Sequence, residues 1–142
     1  SYGAPVPSLV KHGDVMMKEF PISTKTMLGR KLIFSGGGYF RLFPYPLIKR
    51  WSRQCEHDYL NHRVALLDGK EDGYLMSYIH PRDLDAGQPM LEGLPLKRKF
   101  KSYVGLQGAE QKLRKYLTDF KFVDVRTASK MIDWSRTPVI EL

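Results

Sequence analysis

Residues 34–45 read FSGGGYFRLFPY, three glycines followed by four aromatic rings, one proline and one arginine. The run Gly36-Gly37-Gly38 does not match dinucleotide-binding or P-loop spacing, and no lysine or serine follows where a phosphate cradle needs one. What the glycines do provide is positive φ and close backbone approach. Set after an apolar segment and before Tyr39, Phe40, Phe43 and Tyr45, Gly37 and Gly38 let the chain turn sharply and lay rings against a groove. Aromatic faces stack on the apolar faces of sugar rings, and Arg41 can hold a carboxylate or carbonyl oxygen. The competing reading makes the rings core and Arg41 a structural ion-pair partner. The residues alone leave both open.

Working outward, DVMMKEFPIS (14–23) reads as a strand that stops at Pro21, and RKLIFSG (30–36) as a second strand ended by the glycines. With KTMLGR as the turn between them, the two suit a hairpin. From Pro46 to about Leu67, the residues Leu47, Ile48, Trp51, Cys55, Tyr59, Leu60, Val64 and Leu67 recur at threes and fours, which predicts one amphipathic helix or two short ones. Asp68-Gly69 and Asp72-Gly73 bracket a turn, and YLMSYIH (74–80) reads as a buried strand ending at His80-Pro81. Residues 81–98 read as a long loop, the kind that often carries function. Leu106, Ala109, Leu113, Tyr116, Leu117 and Phe120 form one stripe and predict a helix of about 12 residues. KFVDV (121–125) reads as a short strand and TASKMIDW as a final helical turn capped by Thr127. Strands alternating with helices imply an α/β layer architecture.

The 142-residue chain, 42% apolar and 12% aromatic, is long enough for one domain with its own core. It lacks an apolar run of the roughly 18–20 residues a membrane span needs. The start, SYGAPVPSLVKHGD, has no basic region followed by an apolar stretch, and there is no initiator methionine. The expectation is an interior piece of a longer protein. One cysteine, Cys55, excludes an internal disulfide and a cysteine-based zinc knuckle. No helix start or glycine turn lowers its pKa, so it reads as an ordinary free thiol. A net charge of +8 favours polyanions. The local peak is LKRKFKSY (96–103), read here as an extended segment with cations on one face. It is either a stripe for phosphates or sugar acids, or a solvated edge strand kept soluble by lysines. No nucleic-acid motif accompanies the charge.

The stretch YIHPRDLDAGQP (78–89) ends an apolar run on a histidine. A histidine at the carboxyl end of a strand in an α/β fold sits where active sites are built. Asp83 and Asp85 are near enough in sequence to orient its ring and set its tautomer. A plain strand-end histidine is the alternative. Without a second histidine in reach, the carboxylates make only a weak metal pattern.

Taken in order, EFPIS, SGGGYFRLFPYPLI, YIHPRDLDAGQP and FKSYVGLQGAEQKLRKYLTDFKFVDV resemble the C-terminal half of a polysaccharide deacetylase subfamily. These are NodB-like enzymes of carbohydrate esterase family four, of the kind found in bacterial exopolysaccharide clusters. SYGAP at the start is similar to the segment that precedes this half, and the resemblance runs to about residue 126. It implies the C-terminal portion of a distorted (β/α) barrel, spanning 1–142 as a single or partial domain with 127–142 as an extension. The activity implied is removal of acetyl groups from an N-acetylated polysaccharide, using a divalent metal, commonly zinc. His80 resembles the family's late histidine, which protonates the leaving amine. Asp83 or Asp85 would hold its ring, although the usual neighbours are Trp-Glu where this chain has Arg82-Asp83. Gly37, Gly38, Tyr39, Phe40, Arg41 and Tyr45 would line the sugar groove.

The family's metal-binding aspartate pair and His-x-x-x-His segment have no counterpart here, and His57 and His62 lie outside the matched motifs. The chain is therefore expected to bind no metal alone and to need the N-terminal half of the same enzyme, or a second copy, to complete the barrel. The alternative is a non-catalytic module that binds a glycan or a partner. Neither nucleic acid nor a membrane span is expected.

Overall fold

A computed structural model of the chain describes residues 5–57 and 62–142. It is mixed α/β, with five helices and three small sheets among the described residues, and no closed barrel. The chain separates into two compact units. One comprises Ser1–Ser23, Ser52–Met76 and Phe122–Leu142, the other Thr24–Trp51 and Ser77–Lys121.

In the first unit, β1 (Ser8–His12) lies between β2 (Val15–Glu19), antiparallel to it, and β7 (Val139–Glu141), parallel to it. The β1–β2 hairpin turns through Gly13-Asp14, with Gly13 at φ +58°, and His12 faces Val15. This two-residue, glycine-first loop gives the 14–23 strand a nearer partner than the one expected at 30–36. A second hairpin joins β5 (Arg63–Ala65) to β6 (Glu71–Gly73). Val64, Tyr74 and Ile132 form a buried cluster, with Phe20, Leu66, Met76 and Trp134 packed on it. Gly73 has no room for a side chain, since an added Cβ would sit 1.9 Å from the Glu56 carbonyl oxygen. The expected strand at 121–125 is absent. Asp124 instead caps helix α5 (Val125–Met131), accepting the Thr127 N–H at 2.9 Å and the Thr127 hydroxyl at 2.8 Å. Thr127 is thus the partner of the cap rather than the cap, and the aspartate at N-cap prevails over the strand preference of Phe122 and Val123.

The second unit opens with the hairpin of β3 (Lys25–Met27) and β4 (Arg30–Leu32), turning through Leu28-Gly29. The expected turn at 25–30 thus holds a strand of its own, because a two-residue loop with both residues at positive φ, +49° and +72°, already reverses the chain. Helix α1 (Gly37–Leu42) follows, then α2 (Tyr45–His57), whose first seven residues belong to this unit. Of the helical stripe expected to Leu67, Tyr59 and Leu60 lie outside the described residues, and Val64 falls on β5. YLMSYIH is extended but makes only a single bridge, Tyr78 to Gly36, instead of a strand. Helix α3 (Leu96–Tyr103) replaces the edge strand expected there. Leu96, Phe100 and Tyr103, spaced by four and three, form a helical stripe, and Pro95 starts it. Helix α4 (Ala109–Asp119) matches the stripe read from the sequence. Phe34, Phe40, Ile48, Leu106, Ala109, Tyr116 and Phe120 fill this core.

Candidate functional site

Gly36 is extended at φ −143°, and an added Cβ would lie 2.8 Å from the Tyr78 carbonyl oxygen. Gly37 then takes φ +49° and donates its N–H to the same oxygen at 3.0 Å. The close approach and the left-handed turn each call for glycine. The segment that ends in His80 is thereby fixed to the start of α1.

The next five residues divide sharply. Phe40 is fully buried against Tyr116, ring centroids 5.6 Å apart. Tyr39 is 43% exposed and stacks on Phe43 at 5.6 Å and 11°. Arg41 is 6% exposed and acts as a hub. Its Nη1 donates to the Ser102 and Val104 carbonyls, both at 2.9 Å, and its Nη2 to that of Lys101 at 3.0 Å. These are carbonyls at the end of α3, where a helix leaves acceptors unpaired and its dipole is negative. Its Nε lies 3.1 Å from Asp83 Oδ1 in a buried ion pair. The chain leaves α3 through Gly105 at φ +71°, where a Cβ would lie 2.5 Å from the Arg41 carbonyl oxygen. The end of α1 receives a matching cap from α4. Lys112 Nζ reaches the Phe40, Arg41 and Phe43 carbonyls at 3.0, 2.8 and 2.9 Å. Burial holds the Lys112 ammonium below the usual lysine range.

Asp83 closes the short 3-10 turn Pro81–Asp83 that follows His80. Its Oδ2 accepts the His80 backbone N–H at 3.2 Å, while Asp83's own N–H donates to the His80 carbonyl at 2.9 Å. The imidazole is exposed, and its Nε2 is hydrogen-bonded to the Tyr78 hydroxyl. The two rings meet edge to face at 4.5 Å. Asp83 therefore anchors the backbone of His80, and the ring partner is Tyr78. Asp85 Oδ1 accepts the Gly87 N–H at 2.9 Å, closing its own turn.

A groove of about 520 Å³ opens between α1 and α3. Tyr39, Leu42, Phe100 and Val104 form its apolar walls, and the exposed Lys97 and Lys101 bring cations to it. Gly38 and Arg41 also line it, whereas Phe40 is core. Tyr45 serves packing between α2 and α4, its hydroxyl bonded to Asp119 and to the Lys115 carbonyl. Lys49 and Tyr45 together hold the Asp119 carboxyl below its usual range. Among the described residues no three His, Cys, Asp or Glu side chains cluster in a way that could hold a metal.

Tyr78 and Lys112 are not legible in the sequence as site residues, and Lys97, Phe100 and Lys101 read there as a stripe for phosphates or sugar acids only on an extended segment, where the structure has a helix. For the last three the signal was present, since positions i, i+3 and i+4 share a helix face. Capping by Lys112 has no sequence signal, because its acceptors are backbone carbonyls about 70 residues away.

Residues 3–130 match the family model described as "Domain of unknown function (DUF3473)", and the chain belongs to that family. No curated protein matches the chain. No solved structure matches it either. No helix among the described residues is long and apolar enough to cross a membrane.

Proposed function

We propose that this chain is the C-terminal part of a metal-dependent polysaccharide deacetylase that removes N-acetyl groups from bacterial surface or exopolysaccharide sugars, with His80 as general acid. The observation that carries the reading is the placement of His80. Its ring is exposed, yet its backbone is held by a carboxylate clamped in a buried ion pair to α1. The order of motifs along the chain supports the same reading. Amide cleavage needs a proton on the departing nitrogen, because an amine anion is too poor a leaving group. The His80 imidazolium delivers that proton as the carbon–nitrogen bond breaks, and the Tyr78 hydroxyl steadies the ring. Tyr39 and the groove beyond it hold the sugar. A divalent metal would supply an activated water, and its ligands would come from an N-terminal half that completes the barrel, since no described residues of this chain cluster to hold one. His80→Asn in the polypeptide carrying both halves should slow acetate release about 10²–10⁴-fold with metal content unchanged. Unchanged turnover would overturn the role of His80.

The apolar, lysine-flanked groove favours a second reading, glycan binding without chemistry. It requires saccharide binding by this chain that survives a chelator and His80→Ala and weakens with Tyr39→Ala. Loss of binding on chelation would exclude it.

A further inference from the structure

We infer that the groove between α1 and α3 selects a sugar bearing a carboxylate, with Lys97 and Lys101 as its anion partners and Phe100 as a stacking face. The inference rests on the proposal that the groove holds a saccharide, and goes further by naming the charge of the sugar and the residues that read it. Helix α3 carries Lys97, Arg98, Lys99 and Lys101 and no acidic residue. Lys97 and Lys101 are four apart, so their ammonium groups lie on one face and repel each other. Neither is paired with a carboxylate among the described residues. Neither ammonium is needed to pair the last carbonyls of the helix, because Arg41 already takes those of Lys101, Ser102 and Val104.

The groove they line contains no acidic side chain. Its walls include two partly exposed aromatic residues, Tyr39 at 43% and Phe100 at 57%. Aromatic faces with adjacent cations match a pyranose that carries an acid: the ring stacks, and the carboxylate sits between the two ammonium groups. An anion there relieves the repulsion along α3 as well.

The test is calorimetric titration of the 142-residue chain with three probes. One is a tetrasaccharide alternating N-acetylglucosamine with glucuronate, the second the neutral N-acetylglucosamine tetramer, and the third a short polyphosphate. The acidic sugar should bind about tenfold more tightly than the neutral one, the scale of two exposed ion pairs. Lys97→Gln with Lys101→Gln should erase that difference and leave the neutral sugar unaffected. Phe100→Ala should weaken both sugars. Equal binding of the two sugars overturns the inference and leaves the saccharide reading standing. Binding of neither sugar overturns both the inference and the groove's role in holding saccharide, while acetate release by the longer polypeptide still decides the chemistry of His80. Polyphosphate binding as tight as the acidic sugar's, and insensitive to Phe100→Ala, also overturns the inference, reducing it to net charge.

Discussion

Replacing Arg41 with alanine tests the clamp beneath His80. The guanidinium holds three carbonyls at the end of α3 at 2.9–3.0 Å and the Asp83 carboxylate at 3.1 Å. Both charged side chains are nearly dry, at 5% and 8% exposure, so little solvent screening applies. Removing one member of such a pair strands the other charge and costs about 3–5 kcal/mol. The carbonyls can regain water only if the end of α3 opens, which makes about 4 kcal/mol a reasonable centre for the loss. A domain whose whole stability is about 5–15 kcal/mol would feel that acutely. Each unit holds one tryptophan, Trp51 in the unit with Arg41 and Trp134 in the other. Urea unfolding followed at Trp51, in a Trp134→Phe background, therefore isolates the right unit. Arg41→Lys should lose most of the same amount, because a point ammonium cannot span the fork. Asp83→Asn should cost less, since the three carbonyl bonds remain, but should raise amide exchange at His80. A loss below about 1 kcal/mol for Arg41→Ala would refute the account of the clamp.

Leu28 sits at φ +49° and is 94% exposed, so its side chain gives little in return for left-handed backbone. Leu28→Asn should stabilise its unit by about 1 kcal/mol in urea unfolding; destabilisation would mean the side chain has a partner. The Tyr74 hydroxyl donates to the Pro21 carbonyl at 2.8 Å, and burial first, then the charge of Glu19, push its phenol above the usual tyrosine range. Because the unfolded phenol ionises near pH 10 and the folded one only higher, stability is intact below pH 10 and falls as pH rises above it. Thermal melts of Tyr74→Phe should show a small loss at neutral pH and a shallower alkaline decline than wild type. An unchanged alkaline slope would count against burial as the cause.

Helix α4 and the body of α2 were legible because helices are written locally, whereas α1, at the glycine turn, and α3 were not. The α4 stripe from Ala109 to Phe120 needs no distant partner to be read, and neither do Leu47, Ile48, Trp51 and Cys55 on α2. Short strands fared worse. The hairpins at Gly13-Asp14 and Leu28-Gly29 are set by two-residue loops, and an expectation built on longer apolar runs joined the wrong partners. KFVDV lost to the Asp124 cap, and LKRKFKSY is ambiguous because its basic/apolar alternation suits an extended segment while the four-and-three spacing of Leu96, Phe100 and Tyr103 suits the helix that forms. For the site, the glycines, His80 and Arg41 stand out in the sequence, but what Arg41 does does not. Its acceptors are carbonyls 60 to 63 residues away, which any side chain can carry. Arg41 lines the groove, yet it is buried and its guanidinium is taken up by three carbonyls and the Asp83 carboxylate.

The central claim, that His80 protonates a departing amine, is tested most directly by changing the leaving group. The polypeptide carrying both halves would be assayed on an N-acetylated oligosaccharide and on an aryl acetate, whose phenolate departs without a proton. The account predicts that His80→Asn slows the amide at least about 100-fold and the aryl ester only slightly. Equal losses on both substrates, or none on the amide, would contradict it.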